Sequence, residues 1–172
     1  MLLAAKTEKA PAYRVGGATL FLAAAVILTA LAFERFGGYS PCPLCLQQRY
    51  AYYTGVPALF FALVLLSAGH TRTAAAVFLA VALIFLANAV LGAYHTGVEW
   101  KFWPGPDTCA GTAAPLSTSA GGLFKDLATT RVIRCDEAPW HFLGLSFAGW
   151  NVIASLLLAA GATFSAIKAR HG

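Results

Sequence analysis

The chain has 172 residues, of which 59% are hydrophobic and only 11% charged, and it carries a net charge of +5. A soluble domain devotes about 25% of its residues to charge, so an ordinary water-facing surface is excluded. The twelve Lys and Arg are scattered, without the basic run that tracks a nucleic acid backbone. The positive excess therefore reads as membrane topology, and nucleic acid is not an expected partner.

The first expected element is the charge-free stretch Val15 to Phe33. Lys6, Lys9 and Arg14 precede it and Ala30-Leu31-Ala32 resembles a signal-peptidase site. Its apolar core nevertheless exceeds the 7–15 residues of a signal peptide, so a retained span is expected. Three further charge-free stretches follow, Tyr50 to Ala68, Thr73 to Tyr94 and Phe142 to Ile167. A helix of about 20 apolar residues, rising about 1.5 Å each, crosses about 30 Å of hydrocarbon and satisfies its own backbone there. The expected fold is thus an all-α integral membrane protein, a four-helix transmembrane bundle forming a single domain over 1–172. Gly55, Pro57 and Gly92 are tolerable in such helices, and Gly144, Ala148 and Gly161 are expected to mark close helix contacts. Asn88, inside the third span, is expected to bond a neighbouring helix rather than a ligand.

Successive crossings put two loops, 34–49 and 95–141, on one side and the termini with the short 69–72 turn on the other. Each side holds six Lys or Arg, but Lys6, Lys9, Arg14, Arg72, Lys168 and Arg170 are packed into far fewer residues. By density of positive charge the termini are expected in the cytoplasm. All four cysteines, Cys42, Cys45, Cys109 and Cys135, then share the opposite, oxidising face, which in a bacterial cell is the periplasm. An even number of loop cysteines on that face reads as disulfides.

The first loop is short and holds its C-x-x-C, Cys42 and Cys45, against the membrane surface. In the second, twelve of the 19 residues from Pro104 to Gly122 are Gly, Pro, Ser or Thr, a composition expected to be mobile. Leu123, Phe124 and Leu127 then make an apolar stripe that reads equally as a surface helix or as an ordinary turn. Trp100, Phe102, Trp103 and Trp140 flank span ends and read as an interfacial aromatic belt. Glu34 and Arg35 read as solvated interface charges.

Pro41 and Pro43 are expected to keep the C-x-x-C extended, with a helix beginning near Cys45. A thiol at a helix N-terminus feels the positive end of the macrodipole, and Arg49 lies one turn further on. Both effects point to Cys45 as the low-pKa, reactive sulfur. A four-cysteine zinc site would want two close pairs, whereas Cys109 and Cys135 are 26 positions apart, so no metal is expected. A structural Cys109–Cys135 disulfide would close a loop worth about 3–4 kcal/mol on the chain-entropy estimate, yet Cys109 sits where there is little packed structure to brace, and loosely held bridges are the labile ones. No βαβ pattern surrounds the C-x-x-C, which excludes a thioredoxin-like fold.

The stretches "PCPLCLQQR", "YHTGVEWKFWPGPDTC" and "RCDEAPWHFLGLSFAGWN", together with four spans, cover nearly the whole chain. In that combination the sequence resembles the disulfide bond formation protein B (DsbB) family, thiol oxidases of the bacterial inner membrane. The resemblance implies a protein-dithiol:quinone oxidoreductase without a metal. A reduced thioredoxin-fold partner similar to DsbA would attack a Cys109–Cys135 bridge and form a mixed disulfide at Cys109. Electrons would pass to the Cys42–Cys45 pair through a transient Cys42–Cys135 bond, and Cys45 would hand them to a quinone, ubiquinone or menaquinone. Arg49 matches the family's arginine that supports reaction with quinone, and His95 matches a histidine near the ring. Such a division of labour suits two reactants that never share a phase, since a soluble partner cannot enter lipid and a long-tailed quinone cannot leave it. Two rivals stand beside this expectation: an oxidase serving one dedicated substrate, and a membrane scaffold whose loops are stapled by inert disulfides.

Overall fold

The computed structural model describes residues 2–106 and 134–171, with side chains from Ala10 onward. Cys109, most of the Gly/Pro/Ser/Thr-rich stretch and the apolar stripe at 123–127 lie outside the described residues. Among those described, four helices are long and apolar enough to cross a membrane. They are α1 (Leu2–Gly37), α2 (Pro43–Ser67), α3 (Thr71–Glu99) and α4 (Phe147–His171). The chain is an all-α integral membrane protein, a four-helix transmembrane bundle.

Three of the helices start well before, or run well past, their charge-free stretches, because local backbone chemistry and not charge sets their ends. Gly38, at a φ of 69°, adopts the left-handed conformation just past α1. Pro43 occupies the first turn of α2, where its missing N–H costs nothing and its fixed φ suits the helix. Of the stretch expected to be extended before Cys45, Cys42 is extended, while Pro43 and Leu44 are already helical. Residues 38–42 make the first connection, Cys42 is the N-cap of α2, and Cys45 and Arg49 are helical. His95 likewise belongs to α3, which continues to Glu99.

The fourth helix begins five residues later than its apolar stretch. Residues 141–146 form a hairpin instead, His141–Phe142 (β1) pairing antiparallel with Leu145–Ser146 (β2). Its two turn residues, Leu143 and Gly144, both have positive φ, 52° and 79°, the combination that matches the twist of paired strands. Gly144 thus serves a turn that faces open space, not the helix contact expected of it.

The helices pack as a ring, α1 on α2, α2 on α3, α3 on α4 and α4 back on α1, with α3 and α4 in the longest contact. Phe78, Phe85, Leu59 and Leu158 fill the centre and are fully buried. Small residues let the backbones approach. A Cβ on Gly55 would stand 2.8 Å from the Phe85 ring, and Gly161 leaves room for Thr19. Ala148 is buried in the same bundle. Phe21, Leu28, Phe60, Leu83, Val90 and Leu157 point outward, as residues facing lipid do. Asn88 Nδ2 donates to Ser155 Oγ at 2.9 Å and to Asn151 Oδ1 at 3.3 Å, tying α3 to α4 as expected of an amide in an apolar bundle.

Candidate active site

The first turn of α2 brings two sulfurs together. Cys42, in extended conformation at the N-cap, accepts a hydrogen bond on Sγ from the Cys45 N–H at 3.2 Å. The two Sγ atoms are 2.6 Å apart, both residues being free thiols. Tetrahedral zinc with Zn–S bonds of about 2.3 Å holds its sulfurs about 3.8 Å apart. Sulfurs this close are therefore arranged for each other rather than for one shared ion.

His95 reaches the pair from α3. Its side chain is 2% exposed, with Nε2 at 3.7 Å from Cys42 Sγ and 3.8 Å from Glu99 Oε1 one turn on. Its Nδ1 meets Gln48 Nε2 at 2.8 Å. From there a polar chain crosses the bundle. Asn151 Nδ2 donates to Gln48 Oε1 at 2.6 Å, and the Tyr52 hydroxyl donates to Asn151 Oδ1 at 2.7 Å. Glu99 also accepts from the Ser146 hydroxyl, which joins the hairpin to the site.

The thiol expected to be acidic is not the one the geometry favours. Cys42 takes the N-cap position, with Sγ accepting hydrogen bonds from the Cys45 thiol, from His95 and from the Cys45 amide. The Cys45 thiol lowers it most, burial opposes, and the other two bonds add to the lowering; together they push the Cys42 thiol down to about 5. Arg49, expected to reach toward Cys45, has its guanidinium bonded to the Glu34 carboxylate across the α1–α2 contact. Glu34 is accordingly an ion-pair partner and not the solvated charge expected.

Cys135 is buried, disulfide-bonded, and packed in one small cluster with Cys42, Leu44 and Val98. Its backbone also bonds His95. Next to it, the Asp136 carboxylate is gripped by Arg134 and Lys101, which hold it well below the usual carboxylate range. These contacts fasten the 134–137 segment to the end of α3. The structure thus gathers Cys42, Cys45, His95 and Cys135 at one end of the bundle, while Cys109 lies outside the described residues.

Beside the sulfurs lies a cavity of about 1010 Å³. Cys45, Gln48 and Arg49 line it from α2, Phe33 and Ala30 from α1, and Asn151 from α4. Its apolar wall follows α1 from Phe33 down to Ala25 and α4 from Phe147 down to Ala154. At about 1.5 Å per residue this is a depth of about 10–12 Å along the helices. Trp140 also lines the cavity, stacked on Phe147 with ring centres 4.8 Å apart. Trp100, Phe102 and Trp103 remain exposed past α3, and Trp103 stacks on Tyr94.

Gln48, Tyr52, Glu99 and Asn151 belong to the site and had no place in the sequence expectation. A weak signal existed for two of them. Gln48 is one turn beyond Cys45, and Glu99 is one turn beyond His95, so each shares a helix face with a residue already singled out.

Known proteins resemble the chain over most of its length. A family model described as disulfide bond formation protein DsbB matches residues 14–165. A protein named disulfide bond formation protein B from Xanthomonas oryzae pv. oryzae is 33% identical over 158 residues, 88% of each chain. One of the same name from Methylococcus capsulatus is 32% identical over 146 residues, covering 80% of this chain and 83% of its own. Another from Azoarcus sp. is 29% identical over 156 residues, 81% of this chain and 88% of its own. No solved structure matches the chain significantly.

Proposed function

The chain belongs to the DsbB family of disulfide bond formation proteins, and on that premise we propose that it is a protein-dithiol:quinone oxidoreductase of the bacterial cytoplasmic membrane. Its termini lie in the cytoplasm and its four cysteines in the periplasm. It takes two electrons from a DsbA-like thioredoxin-fold protein and delivers them to a membrane quinone, ubiquinone or menaquinone. Electrons enter at Cys109–Cys135 and leave from Cys42–Cys45, with Arg49, Cys45 and His95 at the quinone end.

The observation that carries this reading is a close sulfur pair that opens on an apolar cavity running along two membrane-spanning helices and shares a buried cluster with a disulfide-bonded cysteine. The cavity suits a flat polar ring on an apolar tail. Its upper rim offers the sulfurs, the Arg49 guanidinium and the Gln48–Asn151 amides, and its walls along α1 and α4 are apolar. A bound quinone supplies a sink for two electrons and two protons. The protein's own residues bring the reactants together. The Arg134–Asp136–Lys101 cluster holds Cys135 in place. Cys135 shares one small buried cluster with Cys42, so thiol–disulfide exchange between the pairs needs little movement. Over one turnover a partner dithiol becomes a disulfide, the quinone becomes a quinol, and both cysteine pairs return to the disulfide form.

The decisive assay mixes purified protein in detergent with a reduced thioredoxin-like dithiol protein and a short-chain quinone. Loss of quinone absorbance is expected to match loss of partner thiols, one quinone per dithiol. Thiol loss with the quinone spectrum unchanged would refute the assignment.

A further inference from the structure

Besides lining the cavity, Gln48 and Asn151 tie Tyr52 on α2 to His95 on α3 through an unbroken run of hydrogen bonds. We propose that Gln48, held by Asn151 and Tyr52, is a positioning residue that keeps His95 as an Nε2–H donor to Cys42 and so favours the anionic form of that sulfur. The inference rests on the thiol:quinone reading for its biological use and on the hydrogen bonds alone for its geometry.

The polarity of the chain fixes the proton. Asn151 Oδ1 receives the Tyr52 hydroxyl at 2.7 Å and Asn88 Nδ2 at 3.3 Å, so the Asn151 amide nitrogen is the end turned to Gln48. Gln48 Oε1 accepts that N–H at 2.6 Å, which leaves Gln48 Nε2 to donate to His95 Nδ1 at 2.8 Å. A ring nitrogen that accepts is bare, so the neutral imidazole carries its proton on Nε2. That nitrogen faces Cys42 Sγ at 3.7 Å. Reversing every amide at once would turn a bare Nε2 toward the sulfur, and two lone pairs would then oppose each other if Cys42 were an anion. Charge on Cys42 and the direction of the chain therefore select each other. Gln48 and His95 are both buried, so the bond between them is shielded from water.

Other polar and charged groups around His95 and Cys42 do not take over this task. Glu99 shares the Nε2 side at 3.8 Å and is bonded to Ser146 of the hairpin. The Cys135 backbone bonds the His95 ring. Of the ions lining the cavity, Arg49 is paired with Glu34 and Arg134 with Glu137 and Asp136. Among the described residues, only Gln48 is bonded to Nδ1 through a side chain.

The test uses a chain whose single thiol is Cys42, with Cys45→Ser, Cys109→Ser and Cys135→Ser, and follows thiolate ultraviolet absorbance against pH, referenced to a cysteine-free variant. Gln48→Leu is expected to raise the midpoint by about one pH unit, a tenfold smaller thiolate fraction at acid pH. Gln48→Glu is expected to lower it, because a carboxylate would accept a proton at Nδ1 and leave His95 protonated on both nitrogens. Opposite shifts are not the signature of a merely structural residue. A Leu variant with the parent's midpoint, or two variants shifting the same way, would overturn the proposal. Should Gln48→Leu not fold, Gln48→Glu decides alone, a midpoint at or above the parent's counting against it. The wild-type quinone assay is read separately: its failure sinks the thiol:quinone reading and leaves these midpoints meaningful.

Discussion

A sulfur at the start of a helix is stabilised as an anion by the unpaired N–H groups there, and α2 gives that place to Cys42. The sign of the pH effect follows directly. Cys42 keeps its negative charge above about pH 5 and takes up a proton below it. Alkylation of Cys42 in the reduced protein is therefore expected to stay fast at pH 6, where a free thiol with a pKa of about 8.5 is almost wholly protonated, and to fall away through pH 5. Mass spectrometry of the Cys42 peptide after timed labelling measures this, and a rate that rises only above pH 8 would contradict it. Arg49 belongs to the same scale. Its planar fork pairs with Glu34 at the cavity rim, and its removal leaves that carboxylate without its partner. Arg49→Ala is expected to raise the apparent KM for quinone about tenfold, the worth of one charge-assisted hydrogen bond. Arg49→Lys restores only part, since an ammonium lacks the fork. Steady-state kinetics with quinone varied checks both, and an unchanged KM in the Ala variant would remove Arg49 from the site.

Between helices, contact is bought with small residues. Gly55 sits against Phe85, where a Cβ would stand 2.8 Å from the ring, whereas Gly17 has nothing within 4 Å. Gly55→Val is expected to destabilise the bundle by about 1–3 kcal/mol through overpacking, while Gly17→Val stays close to neutral. Loss of helical circular dichroism in a denaturing detergent titration compares the two. The spans themselves were legible in the sequence, because crossing lipid demands a long uninterrupted apolar run and little else satisfies that demand. Helix ends were not. Pro43 reads equally as a brake on helix formation and as a helix's first residue, and only the conformation of Cys42 decides between them. Within the site, the C-x-x-C and His95 stood out by residue type and motif. Gln48, Tyr52 and Asn151 did not, since a polar side chain on an apolar helix gives no sign of its partner until α2, α3 and α4 are packed. Glu34 and Arg49 are 15 positions apart on different helices, and no spacing rule links them.

Across the molecule, the proposed reaction is divided between two cysteine pairs, one meeting water and one meeting lipid. With Cys109→Ser the proposed entry point for partner protein is lost while the α2 pair and its cavity are untouched. That variant is expected to turn over partner at less than about 1% of the normal rate, since the missing sulfur is the nucleophile's target. Its Cys42–Cys45 pair, reduced chemically, should still be reoxidised by quinone. Full activity with partner would show that electrons enter elsewhere. Cys42 Sγ, meanwhile, also secures the amide of Cys45 at the head of α2. When the sulfur surrenders its charge to a new S–S bond it becomes a poorer acceptor, and the opening turn of the helix loses part of its anchor. The catalytic cycle should then be audible in the backbone itself: deuterium uptake at the amides around position 45 is expected to quicken in the oxidised protein and slow in the reduced one, a periodic loosening at the threshold of the second span.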